Sequence, residues 1–286
     1  MFNKLLFVWS FVIISFACHA QNAETLLWKL KPGDSIVYKT IMKAQMDSNS
    51  KAQVPELFKN LKSDSTDGFD FQKQIRELQK MEPDHYITRL KRSNKNIIDI
   101  EMVLPETKEV KDTSQMANLF QMMSKMNGGV MLRGAVYENG DIQSFYLKND
   151  QRNLIALFFQ LPGKPVKVGD SWSINTNLIS MDQNFKCDSA YKRNNVSITA
   201  IDNTGADKIV TVKYDIEEYV IGKFGFGGLF GEGEDGKMFM KMIHKAIAKF
   251  SVTKGKWLSY DGVMETHSSS VLMGGDSKKT FSLIVQ

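Results

Sequence analysis

The sequence predicts a mainly β protein: an antiparallel curved sheet or half-barrel built from two related halves, with a few short helices packed on one side. Three observations predict it. A turn running into a strand occurs twice, as LKPGDSIVYKT from Leu30 to Thr40 and within LPGKPVKVGDSWSINT from Leu161 to Thr176. In register, Lys31 meets Lys167, Gly33 meets Gly169, Asp34 meets Asp170, Ser35 meets Ser171 and Thr40 meets Thr176. Elsewhere, apolar residues alternate with polar ones over short runs separated by Asn-Gly, Asp-Gly or polar turns, the pattern of half-buried strands in hairpins. The order of these features also recurs: turn and strand, hairpin, Met-rich stretch, hairpin.

The elements follow in chain order. Lys4 precedes an apolar run from Leu5 to Ala17 interrupted by Ser10 and Ser15. That is an export leader, shorter than the roughly 20 residues of a membrane span. Cys18-His19-Ala20 offers small residues for cleavage before Gln21, giving a leader over residues 1–20. The alternative is Ser15-Phe16-Ala17-Cys18 as a weak lipobox, with a lipid on Cys18. The remainder, 21–286, is expected as one exported β domain with pseudo-repeats over about 27–160 and 161–286. No later apolar run approaches spanning length, so no transmembrane span is expected there.

In the first half, Asp34 to Met46 reads as an irregular strand, and Val54 to Met81 as short amphipathic helices joined at Ser63–Gly68. Tyr86 to Met102 reads as a hairpin turning at Ser93–Asn96. Ser114 to Met126 places Met116, Leu119, Phe120, Met123 and Met126 at helical spacing, ended by Gly128-Gly129. Val130–Tyr137 and Ile142–Leu147 flank the turn Glu138-Asn139-Gly140-Asp141, where Asn-Gly suits a tight hairpin.

In the second half, Asn195–Asn203 and Lys208–Val220 form the first expected hairpin. Met238, Met240 and Met242 follow. Ala248–Ser259 and Val263–Val271 are expected to pair about a turn at Tyr260-Asp261-Gly262, and Thr280–Val285 adds a last strand. Gly169 should supply a backbone shape that a Cβ would strain, and Asp170 should accept hydrogen bonds from the turn amides. Trp172 should be mostly buried.

Taken together, Trp28 to Thr40 (WKLKPGDSIVYKT), LPGKPVKVGDSW and the YENGDIQSF turn resemble a family of exported Bacteroidota proteins of unknown function with a duplicated Gly-Asp-Ser motif at a strand start. The resemblance spans nearly the whole chain after the leader, and its motifs are structural turns. It implies an exported envelope protein and transfers no catalytic residue.

Charge and composition exclude several classes. The net charge is +5, with both signs interleaved, which does not suit nucleic acid. The hydrophobic fraction of 42% supplies enough material for one large core or two small ones. Beyond the leader, Cys187 is the single cysteine, which rules out an internal disulfide and a multi-cysteine zinc site. His85, His244 and His267 have no partner at metal-helix spacing. Ser35 and Ser171 lack a nucleophile-elbow context. Cys187 has no identifiable base, despite Lys186 and Lys192 nearby. No catalytic site, metal site or cofactor is therefore expected, and the chain reads as a non-enzyme.

Binding residues are the remaining candidates. Gly222 to Gly236 (GKFGFGGLFGEGEDG) lacks the phosphate-loop ending and the dinucleotide spacing, and Glu232, Glu234 and Asp235 do not match a helix-loop-helix calcium site. Phe224, Phe226, Leu229 and Phe230 are costly to expose on a glycine-rich loop, so they should cover something, such as the open end of a β cavity. Met123 and Met240, with Met116, Met122, Met126, Met131, Met238 and Met242, are core filler or a pliable lining for an apolar ligand. Thioether copper binding lacks accompanying His or Cys. The sequence thus points to an exported, periplasmic or secreted envelope protein that binds an apolar or amphipathic ligand such as a lipid. The alternative is a solid β interaction module of an envelope protein complex.

Overall fold

The computed structural model describes residues 23–46, 85–105, 129–146, 149–180, 185–224, 237–269 and 275–286. The helices expected over Val54–Met81 and Ser114–Met126 lie outside these residues, as do the leader and Cys18. The described strands are β1 (Ser35–Met46), β2 (Tyr86–Asn94), β3 (Ile97–Val103), β4 (Val130–Tyr137), β5 (Ile142–Phe145), β6 (Ser171–Trp172), β7 (Phe185–Asp202), β8 (Ile209–Phe224), β9 (Lys237–Ser251), β10 (Lys256–Ser268) and β11 (Gly275–Val285). One helix, α1 (Asn149–Phe159), separates β5 from β6.

All the strands join one antiparallel sheet in the order β5-β4-β3-β2-β1-β11-β10-β9-β8-β7-β6. The sheet is curved and open, and the protein is mainly β as its sequence predicts. Strands β1 to β5 form one meander and β6 to β10 another, joined where β11 lies between β10 and β1. The connection from β5 to β6 therefore runs from one edge of the sheet to the other, and α1 lies on that crossing.

The repeated turn is closely matched in the two halves. Gly33 has φ +88° and Gly169 has φ +89°. The Asp34 amide donates to Lys31 O at 3.0 Å, and the Asp170 amide to Lys167 O at 3.0 Å. Such turns favour glycine because a Cβ is strained at positive φ. Asp170 Oδ2 also accepts from the Lys167 amide at 3.0 Å, as its place in the sequence predicts.

The last hairpin differs from expectation. Tyr260, Asp261 and Gly262 lie inside β10, and the turn is at Val252–Gly255, within the run expected to be one strand. Tyr260 is fully buried on the inner face. Gly262 is needed there for space: a Cβ would stand 2.9 Å from Ala246 Cβ and 3.1 Å from His244 Cε1. The glycine at the hairpin tip is Gly255, with φ +62°, and its Cβ would meet Lys29 N at 2.4 Å. Gly140 plays the same part in the first half, with φ +86° and Leu161 N at 2.2 Å from a Cβ. Both hairpin tips thus admit a passing backbone segment.

Those segments close one end of the sheet. Trp28 N donates to Glu138 O at 2.8 Å and Lys29 N to Gly255 O at 3.0 Å, while Glu24 and Val166 exchange backbone bonds at 2.7 and 2.9 Å. Between them and the sheet sits α1, whose Ile155, Ala156, Leu157, Phe158 and Phe159 are all buried. The helix was not legible as an element of its own: its apolar residues are crowded into its last six positions, Leu154 to Phe159, which masks the 3.6-residue period. A helix leaves its last carbonyls without intrahelical partners. Here Trp28 Nε1 donates to Phe159 O at 3.0 Å and Trp257 Nε1 to Phe158 O at 2.6 Å, both buried. The rings of Trp28, Trp257 and Phe250 pack edge to face at centroid distances of 5.0 to 6.2 Å.

Trp172 is half-buried rather than mostly buried. It packs against the margin of the core, on the two-residue strand β6 at the sheet edge, and its Nε1 has no partner. The tryptophans can therefore be ranked. Trp28→Phe and Trp257→Phe each strand a buried carbonyl and should cost about 1–3 kcal/mol beyond any packing loss. Trp172→Phe frees no acceptor and should cost less than either. Chemical denaturation of the three variants checks the order.

Candidate functional site

The strands β8 and β9 run on past the packed end of the sheet, and their alternation continues. On β8, Ile216, Glu218 and Val220 face inward and are buried. They pair with His244, Met242 and Met240 of β9, and Gly222 pairs with Met238. On β10, Met264 lies beside His244 and Thr266 beside Met242. Met238, Met240, Met242 and Met264 are all half-buried. They form a methionine tract on the inner face, flanked by Glu218 and Thr266, at the end of the sheet opposite α1's aromatic plug.

His244 marks the boundary between plug and tract. It has no exposed surface. Its Nε2 is 2.7 Å from Tyr260 Oη, its ring lies 5.7 Å from that of Phe281, and its Nδ1 has no hydrogen-bond partner. Burial pushes its pKa down to about 4, so the imidazole is neutral at neutral pH. Burial raises the Tyr260 and Tyr214 hydroxyls in the opposite direction, and the Tyr214 hydroxyl is also buried without a partner. Two unpaired polar atoms in one cluster are an unusual cost for an apolar interior.

On the far side of the tract, Glu218 is held from two directions. Its Oε2 accepts from the Ile179 amide at 3.0 Å, and its Oε1 meets Lys192 Nζ at 2.9 Å. Lys192 also donates to Thr176 O. The pair ties the segment after β6 to the inner face. On β11, Phe281 and Leu283 are buried inward, and Lys279 continues the same alternation, half-buried, between Met264 and Ala44 in register.

Of the residues the sequence singles out for binding, Met240 lies in this tract. Phe224 ends β8 opposite Phe185. Phe226, Leu229, Phe230 and Met123 lie outside the described residues. Cys187 is exposed on β7, and His267 Nδ1 is 2.9 Å from Asp276 Oδ1 on the surface. Met264, Lys279 and the inward aim of His244 are additions from the structure. The period-two series Met238, Met240, Met242, His244 carries part of this signal, but pairing with β10 and β11 cannot be read from one segment.

Two open grooves lie on the outer face. One, of about 470 Å³, is lined by Arg89, Lys91, Asp99, Glu101, Arg133 and Phe145. The other, of about 480 Å³, is lined by Lys213, Lys245, Ile247, Asp261, Val263 and Ser282. Among the described residues, no group of three or more His, Cys, Asp or Glu could hold a metal ion. The His244–Tyr260 pair is sealed from solvent. No family model matches the chain, and no curated protein matches it.

His244 generates a pH prediction. Its folded pKa is lowered, so as pH falls from about 6.5 to about 4 the unfolded chain takes up a proton that the folded one refuses. The group should therefore withdraw about 1.4 kcal/mol of stability per pH unit through that window. Urea melts at about pH 7 and about pH 5 should show a smaller loss for His244→Asn than for the parent protein. Equal losses would rule out a buried neutral imidazole.

Proposed function

We propose that this is an exported, non-enzymatic envelope protein that binds an apolar or amphipathic ligand, such as a lipid, on its inner-face methionine tract. The observation that carries the proposal is the half-buried row of Met238, Met240, Met242 and Met264 on one face of the sheet. Methionine is unbranched and polarizable, so it conforms to apolar partners of varied shape. Aromatic rings fill the opposite end of the inner face and are buried, whereas the methionines of this tract are half-buried. The matched turns at Gly33 and Gly169 and the paired meanders support two halves related by duplication.

Export is supported by the apolar run from Leu5 to Ala17, with cleavage after Ala20; lipid attachment at Cys18 is its alternative. A protein interaction module is a second reading, favoured by Ile247 and Ile284, which stand 46% and 48% exposed on the outer face.

The neutral dye N-phenyl-1-naphthylamine should bind saturably, with enhanced fluorescence. Met240→Gln with Met242→Gln should weaken it by about tenfold or more with the melting temperature little changed. Ile247→Glu should leave dye binding alone. Dye binding that survives the paired methionine changes would place the ligand elsewhere. Mass spectrometry of protein from its own host should find a terminus at Gln21; a diacylated Cys18 would instead establish the lipid-anchored form.

A further inference from the structure

We infer that the methionine tract takes an amphiphile carrying one negative charge, a long-chain carboxylate, whose head group is neutralised by Lys279. The inference rests on the ligand-binding reading and names its chemical class. Lys279 stands on β11 in the inward series of Leu283 and Phe281, between Met264 on β10 and Ala44 on β1. Its outward neighbour Lys278 faces Glu265 at 3.5 Å across the other side of the sheet. Lys279 has no carboxylate within ion-pair distance among the described residues.

Among the described residues, the other charges facing inward at this end, Lys192 and Glu218, pair with each other at 2.9 Å. One ammonium without an acidic partner among the described residues is left beside Met264, two strands from the methionine row of β9. A charge half-withdrawn from water with no partner is poorly stabilised, and a carboxylate there would gain both Coulomb attraction and charge-assisted hydrogen bonds. From Lys279, a chain can run over Met264 on β10 to Met242 and Met240 on β9. Neighbouring strands are about 4.8 Å apart, so the path crosses the length of a long acyl chain's first half before reaching β8. His244, neutral and with Nδ1 unpaired, adds a polar group to the floor but no charge to compete for the head. A single cation suits a monoanionic head better than a doubly charged phosphate.

Titration calorimetry of the purified protein with oleate and with monoolein, each below its aggregation threshold, tests this. Oleate should bind about tenfold more tightly than the neutral lipid. Lys279→Met should bring oleate to the level of monoolein, and Lys279→Arg should keep the preference. Thermal melts establish that both variants fold. Equal binding of the two lipids, or an oleate preference that survives Lys279→Met, overturns the inference while leaving the apolar site intact. If neither lipid binds, the ligand-binding reading itself fails.

Discussion

Two indole N–H groups hold this architecture together. A helix that ends inside an apolar core leaves carbonyls that water cannot reach, and each would cost as much as a lost buried hydrogen bond. Trp28 and Trp257 satisfy the carbonyls of Phe159 and Phe158, and they come from separate places, the segment before β1 and the start of β10. The same contacts therefore fasten the crossing helix, the leading segment and the middle of the sheet to one another. Tyr38 extends the linkage to β1: its hydroxyl accepts from the Trp257 amide at 3.1 Å, and burial raises its pKa far above the range in which it could ionise. Edge-to-face ring packing adds attraction beyond the area buried.

Because the plug sits at one end, the two ends of the inner face differ in chemistry. Near α1 the face carries Trp, Phe and Tyr rings in fixed mutual geometry. Toward the opposite end it carries methionines, half-exposed, with few directional contacts. Rigid aromatic packing specifies one arrangement, whereas thioether chains tolerate several. His244 and Tyr260 form the seam: one hydrogen bond is made inward, and one imidazole nitrogen is left over.

Much of the fold was legible because strands announce themselves by alternation and hairpins by glycine. Val130–Tyr137 is bounded as its sequence implies, and Gly33 and Gly169 both take the positive φ that the repeated motif demands. Asp261-Gly262 misled because an Asp-Gly pair is a turn signal only where the backbone is free to turn. Here Gly262 is small to make room for Ala246, His244 and Tyr260, a tertiary demand with no local signature. The helix α1 was missed for a related reason: its burial is almost complete at its end, so periodicity fades there. For the site, Met240 and its neighbours could be found from spacing. Lys279 could not, since its place next to Met264 across a strand pair, without an acidic partner among the described residues, appears only in the pairing.

The sheet's edges bear on where binding can occur. An open sheet offers unpaired backbone groups at both margins, which invites association with other strands. Here β5 has four residues and β6 two, so both terminal strands are short. The longer exposed margin is β7 from Lys186 to Arg193, beyond the reach of β6, and it carries Lys186, Asp188, Lys192 and Arg193 with a register shift between Cys187 and Ser189. Charges and a bulge are the features that discourage strand addition. The outer face of β7 and β8 is likewise occupied by a charged ladder in which Arg193 meets Asp215 and Glu217, each at 2.9 Å. Edge and outer face in this region are thus guarded by charge. The inner face one row away differs: its methionines stand half-buried beside the Lys192–Glu218 pair, and among the described residues Lys279 on that face has no acidic partner.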